Sequence, residues 1–214
     1  MTTDLFGIRA LFVETARVVR DAVADPAVGE RWDAPSVLEG QRVGGLAGHL
    51  ARGAVWVVVD YLDAALPDAP RVESAAEYFA RLMDLSTESD HRAIRERGAE
   101  VAAMGHAALN AELAAKLEVV AARLAAEPEE RFLGVAGGQL TISLDEYLKT
   151  RIVEQVVHLD DLARSIDREP WTVPAAAEAV VLHEGVDIGS RRSSFNEMLR
   201  ALYRTRLDPA LPVL

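Results

Sequence analysis

Apolar residues recur every three or four positions along most of the chain, which is the period of an amphipathic α-helix. The first such stretch, Leu5–Ala24, ends just before Pro26, because the residue before a proline is disfavoured in a helix. The pattern predicts further helices over these ranges: Val43–Leu66, Ser74–Leu85, His91–Ala126, Ser143 to about Asp167, and Pro174 to about Leu207 with a restart at Ser194. Strand-like alternation is limited to Gln139–Ser143. The sequence therefore predicts a chain that is helical almost throughout.

Glycine-rich positions interrupt this pattern. A kink or break is expected at the glycines of two predicted helices: Gly98 and Gly105 in the long one, and Gly185 and Gly189 in the last one. Each glycine costs a helix about 1 kcal/mol relative to alanine. Gly29–Gly40 is predicted to be an irregular linker, and Phe132–Ile142 a loop or a short extended piece.

The organisation of the chain favours a single domain. There are no internal repeats and no low-complexity linker that would separate two domains. We therefore predict one all-α domain over residues 1–214, with four principal helices and additions, because a bundle is the natural way to bury several apolar helix stripes.

Composition narrows the functional classes. The chain has 214 residues, half of them hydrophobic, and no cysteine, which excludes disulfides and thiolate metal ligands and fits a reducing cytoplasm. A net charge of −11 argues against nucleic-acid and anionic-membrane partners. The longest apolar run, Ala54–Val59, is too short to span a bilayer, and the N-terminus lacks the basic region of a signal peptide. The composition leaves open whether the chain forms a homodimer.

The predicted helix over Tyr147–Leu162 has two polar faces, although an ordinary surface helix needs only one. One arc is apolar and should face the core: Leu148, Ile152, Val156 and Leu159. A second arc should face solvent: Lys149, Asp160 and Arg164. The third arc is polar and lies between apolar side chains: Thr150, Arg151, Glu154, His158 and Asp161. This third arc indicates either a polar cleft or a broad exposed face.

Glu154 and His158 lie four residues apart, so they share a face and could bind one divalent cation. The alternative is an ordinary surface ion pair. Of the other four histidines, His91 is expected to be solvated, and His106 and His183 to be packed or at the surface. His49 lies in an apolar, glycine-rich setting and becomes a third ligand only if the bundle brings its helix beside Glu154.

Two segments together resemble the metal-binding domain of the mycothiol-dependent maleylpyruvate isomerases, a branch of the DinB-like four-helix bundles. The first, over Glu30–Gly53, reads ERWDAPSVLEGQRVGGLAGHLARG and is similar to the linker and helix that carry the family's metal histidine. The second, over Leu140–Ala163, reads LTISLDEYLKTRIVEQVVHLDDLA and is similar to the family's Thr-Arg and E-x-x-x-H-x-x-D-L pattern. The second match is the more specific.

The resemblance implies His49, Glu154 and His158 as ligands of a divalent metal, usually zinc in this family. It also implies that Asp161 and Arg151 lie next to the ligands and hold them in position, without binding the metal themselves. Catalytic and thiol-binding residues are not identified by either segment. Of the family's cysteine and Gly-Trp pair near the linker, only Gly40 remains, and the chain is expected to lack the C-terminal domain of full isomerases.

Three functions follow as hypotheses. In the first, the metal activates a low-molecular-weight thiol, mycothiol, for S-transfer to an electrophilic substrate or for isomerisation. In the second, the protein is a zinc hydrolase of the wider DinB-like group that activates water instead. In the third, it is a metal-binding or regulatory bundle without catalytic activity. Trp56, seven residues after His49, is expected to pack in the core.

Overall fold

The computed structural model describes residues 7–204, which are helical apart from one small hairpin. The helices are α1 (Ile8–Val23), α2 (Pro26–Glu30), α3 (Val43–His49), α4 (Val57–Asp63), α5 (Ala75–Leu85), α6 (Glu88–Ala102), α7 (His106–Ala126), α8 (Leu144–Ser165), α9 (Ala175–Arg192) and α10 (Phe195–Tyr203). A π-helical segment, Leu50–Trp56, joins α3 to α4, so the backbone is helical without interruption over 43–63. The predicted all-α class is confirmed.

Four long helical units form the bundle: α1, the continuous helix over 43–63, α7 and α8. Each buries an apolar stripe against its neighbours in the bundle, and the stripes meet in one core. Fully buried side chains come from all four units: Phe12, Leu46, Leu50, Leu113, Leu117, Leu148 and Ile152. Burial of this kind contributes about 1.5–3 kcal/mol for each large side chain. Trp56 lies in this core, as predicted.

The remaining helices lie against the bundle. α6 packs along α3, α5 packs against α8 and α9, and α10 folds back on α9. Ser74 caps α5 and Ser143 caps α8, each accepting a hydrogen bond from the backbone N–H three residues on. The Glu146 carboxylate accepts a hydrogen bond from the backbone N–H of Ala75, which links the start of α8 to the start of α5.

The predicted long helix over His91–Ala126 is in fact two helices. α6 ends at Ala102, and α7 begins after Gly105, whose positive φ of 86° is readily available only to glycine. Gly98 does not break α6. The helix also begins earlier than predicted, at Glu88, because Thr87 and Asp90 form a capping box that the polar composition of this stretch concealed.

Other boundaries differ by smaller amounts. The predicted linker Gly29–Gly40 begins inside the short helix α2, and the helix expected to reach Leu66 ends at Asp63. Phe132–Ile142 contains an antiparallel hairpin of β1 (Phe132–Val135) and β2 (Leu140–Ser143). Two consecutive glycines with positive φ form its turn. The expected strand is therefore confirmed, and it has a partner that was not predicted.

The C-terminal helices were predicted in part. α9 continues through Gly185 and Gly189, where a break was expected, and ends at Arg192. Met198 of α10 lies against Gly189, because glycine leaves room there for the sulfur. α10 begins at the Ser194 capping box, as predicted. The expected helix end near Leu207 and the start at Leu5 lie outside the described residues.

α3 and α6 cross at unusually close range. A Cβ on Gly48 would overlap the carbonyl oxygen of Gly98, and a Cβ on Gly98 would lie 2.7 Å from the carbonyl oxygen of Gly45. Only glycine allows the two backbones to approach so closely. The crossing places α6 beside His49, at the end of α3. Within residues 7–204, no helix has both the length and the apolar character needed to cross a membrane.

Candidate metal centre

Three side chains from two helices meet at one point beside the core. The carboxylate oxygen Oε2 of Glu154 lies 3.2 Å from Nε2 of His49 and 3.5 Å from Nε2 of His158. The two imidazole rings are perpendicular, with centroids 4.8 Å apart. One potential ligand atom from each residue lies within 4.8 Å of the others. The bundle thus brings together the three residues that the resemblance implied.

These separations suit a divalent metal. Two ligands of one tetrahedral zinc, each about 2.1 Å from the ion, lie about 3.4 Å from each other. Both distances from Glu154 are close to that value. Two imidazole nitrogens and one carboxylate oxygen are also the kind of donor set that a catalytic zinc site uses, with a further position left for a ligand.

The polar arc of α8 is not a broad exposed face, and two of its residues, Arg151 and Glu154, line a cleft. Thr150 and Arg151 are buried, and Glu154, His158 and Asp161 are each only partly exposed. Most of the other two arcs is as predicted, since Leu148, Ile152 and Leu159 are buried and Asp160 and Arg164 are exposed. Val156 of the apolar arc and Lys149 of the solvent arc are each only partly exposed.

Asp161 orients His158. Its Oδ2 lies 3.0 Å from Nδ1 of His158, and its side chain is only 13% exposed. When a metal replaces the proton on Nε2, a carboxylate in this position keeps the other proton on Nδ1, so the Nε2 lone pair is available at the shared point. The position of Asp161 therefore suits a residue that holds the His158 ring in one orientation and does not bind the metal itself.

Arg151 and Gln155 attach α8 to the π segment that follows His49. The guanidinium of Arg151 donates to the carbonyl oxygen of Gly53 at 2.8 Å, and the amide of Gln155 donates to that of Ala54 at 3.0 Å. Such donors satisfy carbonyls in an irregular helical turn, where the regular ladder is disturbed. Arg151 thus has a structural contact that holds the two ligand-bearing helices in register.

Gly53 and Gly98 make room for the imidazole of His49. A Cβ on Gly53 would lie 3.0 Å from Cε1 of His49, and one on Gly98 would lie 3.3 Å from the Cβ of His49. Both distances are tighter than ordinary packing. The ring therefore lies against Gly53 of the π segment, while Gly98 of α6 lies against the base of the His49 side chain.

The ligand side chains are strongly coupled in charge. Burial alone would raise the pKa of Glu154, but hydrogen bonds from His158 and His49 and the charge of Arg151 hold it well below its ordinary value. Burial alone would lower the pKa of His158, yet hydrogen bonds and charges from Asp161 and Glu154 raise it to about 9. At neutral pH the metal-free site thus holds an ionised glutamate and a protonated histidine.

A cleft of about 390 Å³ opens from this point. Its walls come from several elements besides the ligand helices, including α5, α6 and the turn of the hairpin. Polar and aromatic lining residues include Arg52, Tyr61, Tyr78, Arg97, Gln139, Tyr147 and Arg151. Burial raises the pKa of Tyr78 and Tyr147, so both phenols are protonated at neutral pH and can donate hydrogen bonds.

The other histidines lie away from the cleft. His106 packs on Trp32, and its Nε2 lies 2.7 Å from the carbonyl oxygen of Val23. His91 is exposed on α6, and the largely exposed His183 lies 3.6 Å from Asp187 on α9. These three placements agree with the sequence-based expectations.

One known protein family matches most of the chain. The family model of the mycothiol maleylpyruvate isomerase N-terminal domain matches residues 12–163. The chain belongs to this family. The matched range contains the helices of the bundle and all three side chains of the cluster. Neither a curated protein nor a solved structure matches the chain significantly.

Several residues that line the cleft of this member of the mycothiol maleylpyruvate isomerase N-terminal domain family lie outside the sequence-based prediction. Arg52, Tyr61, Tyr78 and Arg97 were not predicted to line it. Arg52 could have been suspected, because it follows His49 by one helical turn. Nothing in the sequence indicated that Arg97 lines the cleft, because α6 reaches the site through its close crossing with α3 at the glycines.

Replacing Asp161 by asparagine is expected to weaken zinc binding by about 10–100-fold, because His158 would lose the carboxylate that fixes its tautomer. Competition with a chromogenic chelator measures this affinity. Asp160→Asn is the matched control, since Asp160 is the exposed neighbour on the same helix. Equal affinities in the two variants would contradict the role assigned to Asp161.

Metal affinity is expected to rise with pH. Because the pKa of His158 is raised to about 9, a metal must displace its proton at neutral pH. One displaced proton predicts an increase in affinity of about tenfold per pH unit between pH 7 and 9, with a plateau above. Titrations at fixed ionic strength test this slope, and an affinity independent of pH in that range would contradict it.

Proposed function

We propose that the protein is a metal-dependent enzyme that uses a low-molecular-weight thiol, mycothiol, as co-substrate. His49, Glu154 and His158 would hold a divalent ion, zinc by the chemistry of the donors, and mycothiol would enter from the cleft. The observation that carries this proposal is the triad beside a cleft that His49 and Glu154 line, in a chain that belongs to a mycothiol-related family.

The absence of cysteine supports a thiol supplied from outside. The protein has no thiol of its own to act as a nucleophile or as a metal ligand. A divalent ion bound by the triad supplies the charge that keeps a coordinated thiol deprotonated at neutral pH. Such a thiolate would serve as the nucleophile towards an electrophilic carbon, displacing a leaving group in S-transfer or adding reversibly in isomerisation.

The protein side chains have distinct roles in this proposal. Glu154 stays ionised because its pKa is low, and Asp161 holds the Nδ1 proton of His158. Tyr78 and Tyr147 would present protonated phenols to the substrate or to the thiol. Arg151 keeps the π segment against α8, so we assign it to positioning and not to the chemical step.

Thiol consumption tests the proposal. Protein loaded with one equivalent of zinc is incubated with mycothiol and 1-chloro-2,4-dinitrobenzene, and the thioether is followed by its absorbance. We expect turnover that needs both zinc and mycothiol, and background rates for metal-free protein. His183→Ala, which removes an exposed histidine, serves as control and should keep full activity.

Two outcomes would contradict the proposal. Absence of thiol consumption by zinc-loaded protein across a panel of chlorinated aromatics, epoxides and activated alkenes would favour a binding protein without this activity. Hydrolysis of an activated ester at a rate that does not depend on thiol would favour a hydrolase.

A further inference from the structure

Gln155 is a polar residue inside the apolar stripe of α8. Its neighbours on the same face of the helix are Leu148, Ile152 and Leu159, which lie seven and three residues before it and four after it. All four side chains are buried, and Gln155 has no exposed surface. A glutamine is seldom buried to this extent, because its amide gives up hydrogen bonds to water. We therefore looked for the contact that distinguishes it from a leucine.

That contact is with the π segment. The Nε2 of Gln155 donates to the carbonyl oxygen of Ala54 at 3.0 Å. The other atom of the amide, Oε1, is buried and accepts no hydrogen bond within residues 7–204. A buried amide with one partner missing costs free energy that an apolar side chain would not. Packing alone would thus favour an apolar residue here, and the bond to Ala54 is what the glutamine adds.

The π segment depends on side chains of α8 because its own hydrogen-bond ladder is shifted. The N–H of Val57 bonds to the carbonyl oxygen of Arg52, five residues back, as in a π turn, and not to that of Gly53, four residues back. The carbonyl of Gly53 receives the guanidinium of Arg151 instead. Arg151 and Gln155 lie one turn apart on α8, so together they hold two successive carbonyls of the segment.

The π turn also sets the direction of His49, the residue that precedes it. Gly53 lies against the imidazole, since a Cβ there would be 3.0 Å from Cε1 of His49. A π turn contains about one residue more than an α turn, which changes the angle between the helix faces before and after it by about 100°. A return to α-helical pairing would therefore turn His49 away from Glu154, from which its Nε2 is now 3.2 Å distant.

We propose that Gln155 is a positioning residue of the metal centre: its hydrogen bond to Ala54 maintains the π turn, and the π turn holds His49 beside Glu154. The inference rests on the proposed metal site. It adds a residue that acts on a ligand through the backbone and itself touches neither the metal nor the substrate. Without the amide, the carbonyl of Ala54 loses its side-chain donor, and the segment is expected to recover α-helical pairing.

Gln155→Met tests this role, because methionine has a similar length and no N–H donor. Zinc affinity, measured by competition with a chromogenic chelator, should fall by about tenfold, as for other residues that orient a ligand. The absorption of bound cobalt(II) reports the number and geometry of its ligands. We expect the spectrum of the variant to approach that of His49→Ala, whereas a role in packing alone would leave it unchanged.

A second variant covers the case in which Gln155→Met does not fold. Gln155→Asn keeps a polar amide but is one methylene shorter, so its donor lies too far from Ala54. It should show the same loss of zinc affinity and the same change in the cobalt spectrum.

A double-mutant cycle shows whether the effect passes through His49. In a His49→Ala background, Gln155→Met should change the remaining zinc affinity by less than about twofold, because the ligand that it positions is already absent. Asp161→Asn acts on the other histidine, His158, and should keep its full effect in the same background. The contrast separates a residue that positions His49 from one that supports the whole centre.

Leu124→Ala is the matched control for loss of stability. Leu124 is a buried core residue of α7, and its neighbour Arg123 pairs with Asp63 at the far end of α4 from the π segment. This variant should lower the melting temperature of the metal-free protein. It should nevertheless leave zinc affinity within about twofold of wild type and the cobalt spectrum unchanged, because independent sites do not couple.

The outcomes separate this inference from the proposal beneath it. Three results would overturn the role of Gln155 and leave the metal site standing: wild-type affinity and spectrum in Gln155→Met, an undiminished effect of that change in the His49→Ala background, or an equal loss of affinity in Leu124→Ala. Wild-type protein that binds neither zinc nor cobalt would overturn the metal site and the role of Gln155 together.

Discussion

Replacing His158 by alanine is expected to abolish stoichiometric metal binding. His158 supplies one of three donors, and its Nε2 lies 3.5 Å from the shared oxygen of Glu154. Loss of a residue that merely supports a ligand already costs about 10–100-fold in metal affinity, so loss of a ligand should cost more than about a hundredfold. Elemental analysis after dialysis measures the effect, and His49→Ala should behave alike.

The control for this result is a histidine elsewhere on the surface. His183→Ala removes an exposed imidazole from α9 and should leave about one metal per chain, because His183 lies far from the cluster in the sequence and does not line the cleft. If wild-type protein and both cluster variants bound metal equally, the triad would not be the metal site.

Replacing Gly48 by alanine is expected to destabilise the fold by about 2–3 kcal/mol, the cost of overpacking a tight contact. The new Cβ would overlap the carbonyl oxygen of Gly98, which is backbone and cannot rotate away. For a chain of this size the melting temperature should fall by about 5–10 °C. Because the crossing carries His49, we also expect weaker metal binding.

Gly185→Ala is the matched control for Gly48→Ala. Gly185 lies within helix α9, and a Cβ there would meet no atom within 4 Å. Alanine should therefore stabilise this helix by up to about 1 kcal/mol through its higher propensity. Thermal unfolding of the two variants side by side measures both effects. A Gly48→Ala protein as stable as wild type would show that α3 and α6 are not in the close contact described.

Much of the fold could be predicted because it depends on local patterns. The apolar stripes of α1, α5 and α8 and the caps at Ser74 and Ser143 are signals within single helices. Some differences lie where tertiary contacts occur, which local patterns do not reveal. Gly189 contacts Met198 of α10 and Gly98 contacts α3, and both glycines lie within helices where a break was expected.

The candidate site was predictable to a different degree on each helix. Glu154, His158 and Asp161 share one face of α8, so their spacing alone placed them together. His49 lies more than one hundred residues earlier, and only the family resemblance connected it with them. The structure brings it within 3.2 Å of Glu154. That these residues bind a metal remains a prediction, which the His158 variant tests.

The cleft could not be predicted from the sequence, because its walls come from segments far apart in the chain. The π segment has no clear sequence signature in LARGAVW, yet it sets the position of Arg52. Arg97 enters through a helix crossing made by glycines, and glycines in the sequence equally suggested a break. Close backbone contacts of this kind are a property of pairs of helices and not of either helix alone.

The central claim, that this centre binds an external thiol through a metal held by the triad, is tested most directly by X-ray absorption at the zinc edge. The sample is protein loaded with one equivalent of zinc and saturated with mycothiol. Because the chain has no cysteine, a thiolate sulfur at zinc can come only from the added thiol. We expect one sulfur at about 2.3 Å, with nitrogen and oxygen ligands at about 2.0–2.2 Å. A zinc site with nitrogen and oxygen ligands only, unchanged by mycothiol, would contradict it.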